Sequence, residues 1–435
     1  MRRKLAQYGL CVILCAATMI TAAGPADTDT GDIATSTAAA APDEPASMFT
    51  VRGFGTLGVV HSDQGLADFT SSRVESVGAG YTDAWSAAVD SLLGAQVDAR
   101  FTPQFSAVLQ VIAEQNANSG FAPHVEWAFL KYQFTPDFSV RLGRTAIEAF
   151  LLTDSRNVGF AFPFIRPPTE VYNLVPVTNS DGIDFSYRVS VADVSNTVDA
   201  SVGFDHYQYS YPNSNATGTA DATQQISVVD TLQRGSASLR LTYGQARLTV
   251  PAFEPLFDAF REFGPQGVGI ADLYSTDDRV IAYYGISAAY EPGNWFLMAE
   301  LGRVNFHSAL GENTGWYVSG GHSFGKFTPY ATYAQIRPNV GTRSTGLDLS
   351  TLPPALAPEA ATLNAELNAT LGLMASQRTL SLGARVDVTS SIDLKLQWDR
   401  TNLGANSQGW LTNLQPGFQL GSSFTLVSAT LNFVF

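Results

Sequence analysis

The sequence predicts an all-β protein, a 16-stranded antiparallel transmembrane β-barrel with an inward-folded third loop. Three observations predict it. Apolar and polar residues alternate with a period of two in many segments, as in strands that have one buried face. Short and long connections between these segments alternate strictly. The last segment, "TLVSATLNFVF", keeps the alternation up to Phe435, although chain ends are usually frayed and polar.

Two segments precede the first strand. Residues 1–23 have a basic start, an apolar stretch from Leu10 to Ile20 and small residues before Gly24, which is the layout of a secretory signal peptide. Residues 24–47 are small, acidic and contain proline, so we expect a disordered acidic leader. Residues 48–435 show neither a linker nor a shift in composition, which favours one large domain.

Charge and cysteine content exclude several classes of protein. With 25 Lys and Arg against 39 Asp and Glu, the chain is a poor candidate for nucleic-acid binding. Both cysteines, Cys11 and Cys15, lie in the predicted signal peptide, and the five histidines have no ligand spacing, so we expect neither disulfides nor a zinc site or other cofactor. No later apolar run reaches the roughly 18 residues of a spanning helix, so a membrane protein with this sequence has to be a closed barrel.

The alternation is clearest in four segments, each apolar on one face and polar or charged on the other: 92–101, 105–114, 380–388 and 392–400. An Arg directed at lipid near the bilayer midplane costs about 2–4 kcal/mol, so we assign the polar faces to the lumen. Sixteen strands enclose a lumen too wide for side chains to fill, so we expect it to contain water.

The connections set the number of strands. The short ones are "TPQ" after Phe101, "TPD" after Phe134, "VADVSN", "YGQ", "EPGN", "FGK" and "TSS". The long ones are 62–91, 116–123, 145–180, 208–225, 251–279, 306–314, 338–376 and 401–421. Seven short turns imply fourteen strands, and strands at about 49–60 and about 424–435 complete sixteen. Tight periplasmic turns and long outer loops are typical of outer-membrane barrels.

Three of the long segments have a further pattern. Apolar residues at helical spacing predict helices near 253–263 and 356–374, lying either over the pore mouth or on the barrel rim. Segment 145–180 contains Phe150, Phe160, Phe162, Phe164 and Ile165 and is too apolar for a solvated loop. We therefore expect it to fold inward and narrow the channel.

These features together resemble the Gram-negative trimeric porins over residues 48–435. The resemblance is sharpest at "VRLGR" (140–144) and at the segment 155–187 that begins "SRNVGFAFPF". It implies a homotrimer in the outer membrane and passive diffusion of small hydrophilic solutes. Phe435, preceded by alternating apolar residues, is similar to the signal that such proteins present to the barrel-assembly machinery.

Two other functions stay open. One is a channel selective for small organic acids, built on the same barrel. The other is an outer-membrane enzyme or adhesin. For an enzyme, the adjacent pair Asp205 and His206 is the only candidate, and neighbouring side chains of a strand point to opposite faces.

The predicted constriction is a basic cluster facing an acidic one. Its basic residues are Arg52, Arg100, Arg141, Arg144 and Arg166, and its acidic residues are Glu148, Asp154 and Glu170. Because the field is strongest where a pore is narrow, this cluster predicts a weak preference for anions. Alternatively, some of these charges pair with each other and only hold the loop. Small outward residues on the early strands, Ala95, Ala99 and Ala107, favour a protomer interface there.

Overall fold

The computed structural model describes residues 47–211, 213 and 216–435. The predicted signal peptide and the leader up to residue 46 lie outside the described residues. The described chain contains sixteen long strands: β1 Phe49–Ser62, β2 Leu92–Arg100, β3 Phe105–Glu114, β4 His124–Thr135, β5 Phe138–Ala146, β6 Asn179–Val191, β7 Val194–Ser210, β8 Thr217–Arg234, β9 Ala237–Thr249, β10 Arg279–Tyr290, β11 Trp295–Phe306, β12 Asn313–His322, β13 Phe327–Pro338, β14 Gln377–Asp387, β15 Ile392–Leu403 and β16 Ser423–Val434.

The strands form a closed antiparallel barrel. Each strand pairs with its neighbours along the chain, and β16 also pairs with β1 in a register from Phe54↔Val434 to Ser62↔Leu426. Past the last pair, the backbones of Gly53 and Phe435 exchange two hydrogen bonds of 2.8 and 2.9 Å. None of the sixteen described strands is therefore left with a free edge. The predicted fold class is therefore confirmed.

Glycines of β1 receive the aromatic rings of the closing strand. A Cβ added to Gly53 would lie 2.1 Å from Cζ of Phe435, and one added to Gly55 would lie 2.5 Å from Cζ of Phe433. The two rings therefore lie across the glycine backbone, on the outer face of the barrel. Aromatic residues that cover cross-strand glycines in this way help to fix the register of a sheet.

The two faces of the wall differ in polarity. Large apolar side chains are exposed on the outer face, including Leu57, Leu142, Leu297 and Leu396, which are 50–64% exposed. Inward positions carry Gln110, Ser319, Thr332, Gln397 and Asn432, among others. A band of this kind is stable against lipid hydrocarbon, where the closed ladder satisfies every backbone group. Among the described residues, no helix is both long and apolar enough to cross a membrane.

One predicted turn is wrong. The segment "YGQ", residues 243–245, lies within β9, and the fourth short turn is Gly235–Ser236, where Gly235 has φ +55°. β7 and β8 are 17 and 18 residues long, so the loop between them is 211–216 and not 208–225. The upper part of β8, "TGTADATQQ", is polar, and a bulge at Gln224 interrupts its alternation, so it resembles a loop in sequence.

Both predicted loop helices are present. α2 (Glu254–Arg261) buries Phe257 and Phe260, and α4 (Ala357–Leu371) buries Leu363, Leu367 and Leu371; a four-residue helix, α1, covers Thr169–Tyr172. A further helix, α3 (Gly264–Tyr274), was not predicted. Its glycines at 264, 267 and 269 lower helix propensity, and its Pro265 is tolerated because it lies in the first turn.

The loop helices pack over the barrel mouth. Phe257 of α2 and Leu367 of α4 belong to one apolar cluster with Phe306 and Ile336, the inward-facing residues at the loop ends of β11 and β13. Contacts with inward-facing side chains place these helices over the lumen and not on the outer rim. Of the two predicted arrangements, the structure has the one that covers the mouth.

Candidate functional site

The loop between β5 and β6, residues 147–178 and here called L3, folds into the barrel as predicted. Its Phe150, Phe162, Phe164 and Ile165 are each at most 4% exposed. The three phenylalanines belong to one apolar cluster with inward-facing wall residues such as Tyr283 and Tyr330. L3 is thus an internal part of the fold, and its burial removes the apolar surface that it would otherwise expose.

Two cations of the wall hold the tip of L3. Nζ of Lys395 donates to the carbonyl oxygens of Gly159, Phe162 and Phe164 at 2.5, 2.6 and 2.9 Å. Arg385, directly opposite Lys395 in the ladder, donates to the carbonyl of Phe160 at 2.7 Å and more weakly to that of Phe162. Like charges facing each other across a ladder repel. The L3 carbonyls, together with Asp387 and Asp393, compensate for that repulsion.

A carboxylate on β11 holds the base of L3. Glu300 is 3% exposed and accepts hydrogen bonds from the backbone N–H of Leu151 at 2.8 Å and the hydroxyl of Tyr172 at 2.8 Å. The hydroxyls of Tyr317 and Ser287, on the wall, complete its shell at 2.7 and 2.9 Å. A buried carboxylate without a cation is tolerated when several donors satisfy it. Glu300 therefore ties two points of L3 to the wall.

Arg166 of L3 is neutralised by carboxylates. It forms a bidentate pair with Asp90 at 2.7 and 2.5 Å, and its Nη1 lies 3.4 Å from Asp399 on β15. Its side chain is 9% exposed. Glu170, in α1, accepts hydrogen bonds from the uncharged side chains of Gln377 and Thr379 at 2.8 and 2.5 Å. Arg166 and Glu170 line one cleft between L3 and the wall of β13–β15.

A second charge cluster lies where L3 leaves β5. Arg141 and Arg240 each donate to a different oxygen of Glu148, at 2.8 and 2.9 Å. Arg141 also lies 3.2 Å from Asp184. Asp154 is exposed and close enough to Arg141 to interact electrostatically. The structure thus brings Arg141, Glu148 and Asp154 together, away from Arg166 and Glu170.

The remaining predicted constriction residues do not belong to either cluster. Arg52 pairs with Asp98 at 3.2 Å, and it lies with Arg100 at the turn end of β1 and β2. Arg144 shares the outer face with Leu142 and pairs with Asp181 at 2.7 Å, so its assignment to the lumen is wrong. Arg141 and Arg144 are three residues apart, and successive side chains of a strand alternate between its faces. The predicted basic cluster of five arginines is therefore not formed.

Several functional residues were missed. Glu126, 1% exposed, accepts hydrogen bonds from Thr178 and Asn179 at the end of L3. It lies at a bulge between β3 and β4, where the alternation cannot assign a face. The anchoring roles of Lys395 and Glu300 were missed because their partners are 128–236 residues away along the chain. Asp205 is buried and His206 binds Asp221 at 2.6 Å with an exposed ring, so the predicted opposite orientation holds.

The inward faces of the strands carry more carboxylates than cations. By their position in the ladder, the inward carboxylates are Asp98, Glu114, Glu126, Asp184, Asp199, Asp205, Glu300, Asp387, Asp393 and Asp399. The inward cations are Arg52, Arg100, Lys131, Arg141, Arg188, Arg240, Arg279, Arg385 and Lys395. The inner wall is thus close to charge balance with a slight excess of carboxylates, and because the predicted basic cluster is not formed, the basis for the predicted anion preference is lost. In the described ranges, no group of His, Cys, Asp and Glu side chains could hold a metal ion.

Comparison with known proteins shows the fold. No family model and no curated protein sequence matches the chain. An anion-selective porin from Comamonas acidovorans aligns over 89% of this chain and 99% of its own, at 13% identity and a TM-score of 0.52. OmpF of Salmonella typhi, in complex with daunomycin, aligns over 89% of this chain and 97% of its own, at 11% identity and a TM-score of 0.51. The outer membrane channel DcaP of Acinetobacter baumannii aligns over 89% of this chain and 97% of its own, at 12% identity and a TM-score of 0.52. The chain has the sixteen-stranded fold of Gram-negative outer-membrane porins.

Proposed function

We propose that this protein is an outer-membrane porin that lets small hydrophilic solutes diffuse through a water-filled channel. The observation that carries the proposal is the closed barrel with an apolar outer face, a polar and charged inner wall, and L3 anchored inside it. The fold shared with solved porins supports the same function. No enzymatic activity is part of this proposal.

Single-channel recording in planar bilayers tests the proposal. The refolded barrel should insert in discrete steps, and its conductance should rise in proportion to salt concentration, because ions move through water without a saturable site. Heat-denatured protein from the same preparation is the control. An enzyme or adhesin with a plugged barrel would insert without conducting, and that result would contradict the channel function.

The pairing of charges in the lumen supports a weak preference for cations, opposite to the sequence-based prediction. Arg141 and Arg166 face at least two carboxylates each, and among the residues that the structure describes, Glu126 and Glu300 have no Lys or Arg within salt-bridge distance. The reversal potential in a salt gradient should therefore have the cation-selective sign. The anion-selective sign would refute this part of the proposal and leave the channel function intact.

A homotrimer is the proposed assembly, with its interface on the first strands. Ala95, Ala99 and Ala107 face outward on β2 and β3, where small side chains let neighbouring walls approach closely. Native mass measurement of the detergent-solubilised protein should give three copies. Ala95→Trp should weaken the trimer, whereas Ala384→Trp, an outward change on β14, should not. A wild-type monomer would contradict this assembly.

A second candidate is a channel selective for small organic acids. A cleft between the loops after β1 and β15 contains Arg73, whose guanidinium carbon lies 4.6 Å from the ring centre of Trp410. Among the described residues Arg73 has no carboxylate partner, and the buried Nε1 of Trp410 has no acceptor. These two donors could receive a carboxylate. Flux of succinate that saturates in wild type and loses saturation in Arg73→Gln would favour this candidate.

A further inference from the structure

The outer face of β10–β16 carries its charge at one end only. Outward positions along these strands are mainly apolar or aromatic, and at the loop end they include Arg303 on β11, Arg337 on β13, Arg378 on β14 and Arg400 on β15. These four residues are called the arginine belt here. No outward position of the described strands β10–β16 holds a carboxylate.

The belt is continuous around this part of the barrel. Arg303 and Arg337 lie on the two strands next to β12, and both pair with Thr314 of that strand. Arg378 pairs with Gln335, two residues from Arg337, and Leu380 pairs with Arg400. Neighbouring strands are about 4.8 Å apart, and diagonal neighbours are within reach of long side chains. The four guanidinium groups can therefore converge on one ligand or on adjacent ligands.

An aromatic row fixes the depth of the belt. The outward residues Tyr284, Trp316, Tyr333 and Trp398 lie beside the arginines or one to two ladder positions below them. Aromatic residues of transmembrane barrels form girdles at the membrane interfaces. Because the belt lies at this row or on its loop side, its guanidinium groups reach the lipid headgroups.

The belt is poorly neutralised by the protein. Arg337 and Arg378 are exposed and have no ion pair among the described residues, and Arg400 donates only to the hydroxyls of Thr425 and Ser423. Arg303 approaches a carboxylate, that of Glu312, at 3.4 Å. By contrast, outward Arg247 near the same rim forms a bidentate pair with Asp278, with distances of 2.5 and 2.6 Å.

We propose that the arginine belt binds the phosphate groups of anionic lipids in the outer leaflet. Guanidinium presents a planar fork of donors that matches phosphate oxygens, and it keeps its charge at any working pH. The chain as a whole has a formal net charge of −14, so its overall charge opposes binding to an anionic surface, and attraction has to be local. This lipid site is independent of conduction, since a barrel that conducts nothing could still have it.

Native mass spectrometry in dodecyl maltoside tests the proposal, with lipid A that carries two phosphates as the probe. The belt variant Arg337→Gln/Arg378→Gln/Arg400→Gln is compared with the matched variant Arg234→Gln/Arg247→Gln/Arg261→Gln. The matched variant removes the same charge from arginines that are already ion-paired. Heat-modifiable migration of each variant shows that the barrel is folded, and the single variant Arg378→Gln serves if the triple variant does not fold.

Wild type and the matched variant should bind lipid A with the same apparent affinity, and the belt variant should bind it at least tenfold more weakly. Fully dephosphorylated lipid A should bind wild type as weakly as lipid A binds the belt variant. Equal binding of lipid A by wild type and the belt variant would overturn the proposal. It would also be overturned if the dephosphorylated lipid bound wild type equally well, or if inorganic phosphate bound wild type while lipid A did not.

Discussion

Lys395→Met should release the tip of L3. The ammonium group holds three L3 carbonyls, and Arg385 keeps a hydrogen bond to that of Phe162, so the change orphans the carbonyls of Gly159 and Phe164. Hydrogen bonds to charged groups contribute about 1.5–3 kcal/mol each, so about 3–6 kcal/mol of tip attachment is lost. At about 1.36 kcal/mol per tenfold change, local opening becomes roughly 10²–10⁴ times more frequent.

Amide hydrogen exchange measures this opening directly. The N–H of Ala161 is bonded to the carbonyl of Val158 at 2.8 Å, and that of Ile165 to Oε1 of Gln397 at 3.2 Å, so both report on the tip. The same variant should show larger current fluctuations in single-channel records. Lys326→Met, which removes an exposed lysine at a short turn, is the control. Unchanged exchange at Ala161 and Ile165 in Lys395→Met would refute the anchoring role.

Three further predictions concern other parts of the fold. Replacing Phe435 with Lys should impair assembly, and so should Gly53→Leu, because the ring occupies the space above that glycine; normal amounts of heat-modifiable barrel in both variants would contradict this. Glu300→Gln should remove one of the two oxygens that accept hydrogen bonds from four donors, which should weaken the attachment of L3 by about 1–3 kcal/mol and speed amide hydrogen exchange at Leu151. The control Glu291→Gln, an exposed change at a turn, should leave this exchange unchanged. Burial raises the pKa of Glu75 from 4.5 to about 8, so ionisation of this side chain should destabilise the loop after β1 as the pH rises from 4.5 through 8. At pH 9, amide hydrogen exchange in this loop should be faster in wild type than in Glu75→Gln, and at pH 4 the two proteins should not differ. Equal exchange at pH 9 would contradict this prediction.

The fold was predictable because its signal is local and repeated. A strand such as β15 needs only its own residues to show which face is apolar, and closure follows from the even number of strands. The signal failed where the local pattern is interrupted, at the bulge in β8 that made the upper part of this strand resemble a loop.

The charge clusters were less predictable because their partners are distant in sequence. Arg166 and Asp90 are 76 residues apart, and Lys395 and Gly159 are 236 apart. Sequence patterns indicated that L3 folds inward, but not which wall residues meet it. Arg144 is a different case, since the two-residue period alone places it opposite Arg141, and applying that rule would have removed it from the constriction.

The ion pairs around L3 distinguish charged groups that hold the loop in place from charged groups that determine the electrostatic potential in the lumen. Arg166 and Glu148 are each held by two opposite charges at a fixed distance, so their fields are largely cancelled a few ångströms away, and removing one of them mainly moves the loop. Arg52, whose side chain is 53% exposed and lies on β1, acts on ions in the lumen more directly. Neutralising Arg52 should therefore increase cation preference with little change in L3 exchange, whereas neutralising Arg166 should change exchange first. The reverse order would mean that the buried pairs, and not the exposed charges, control permeation.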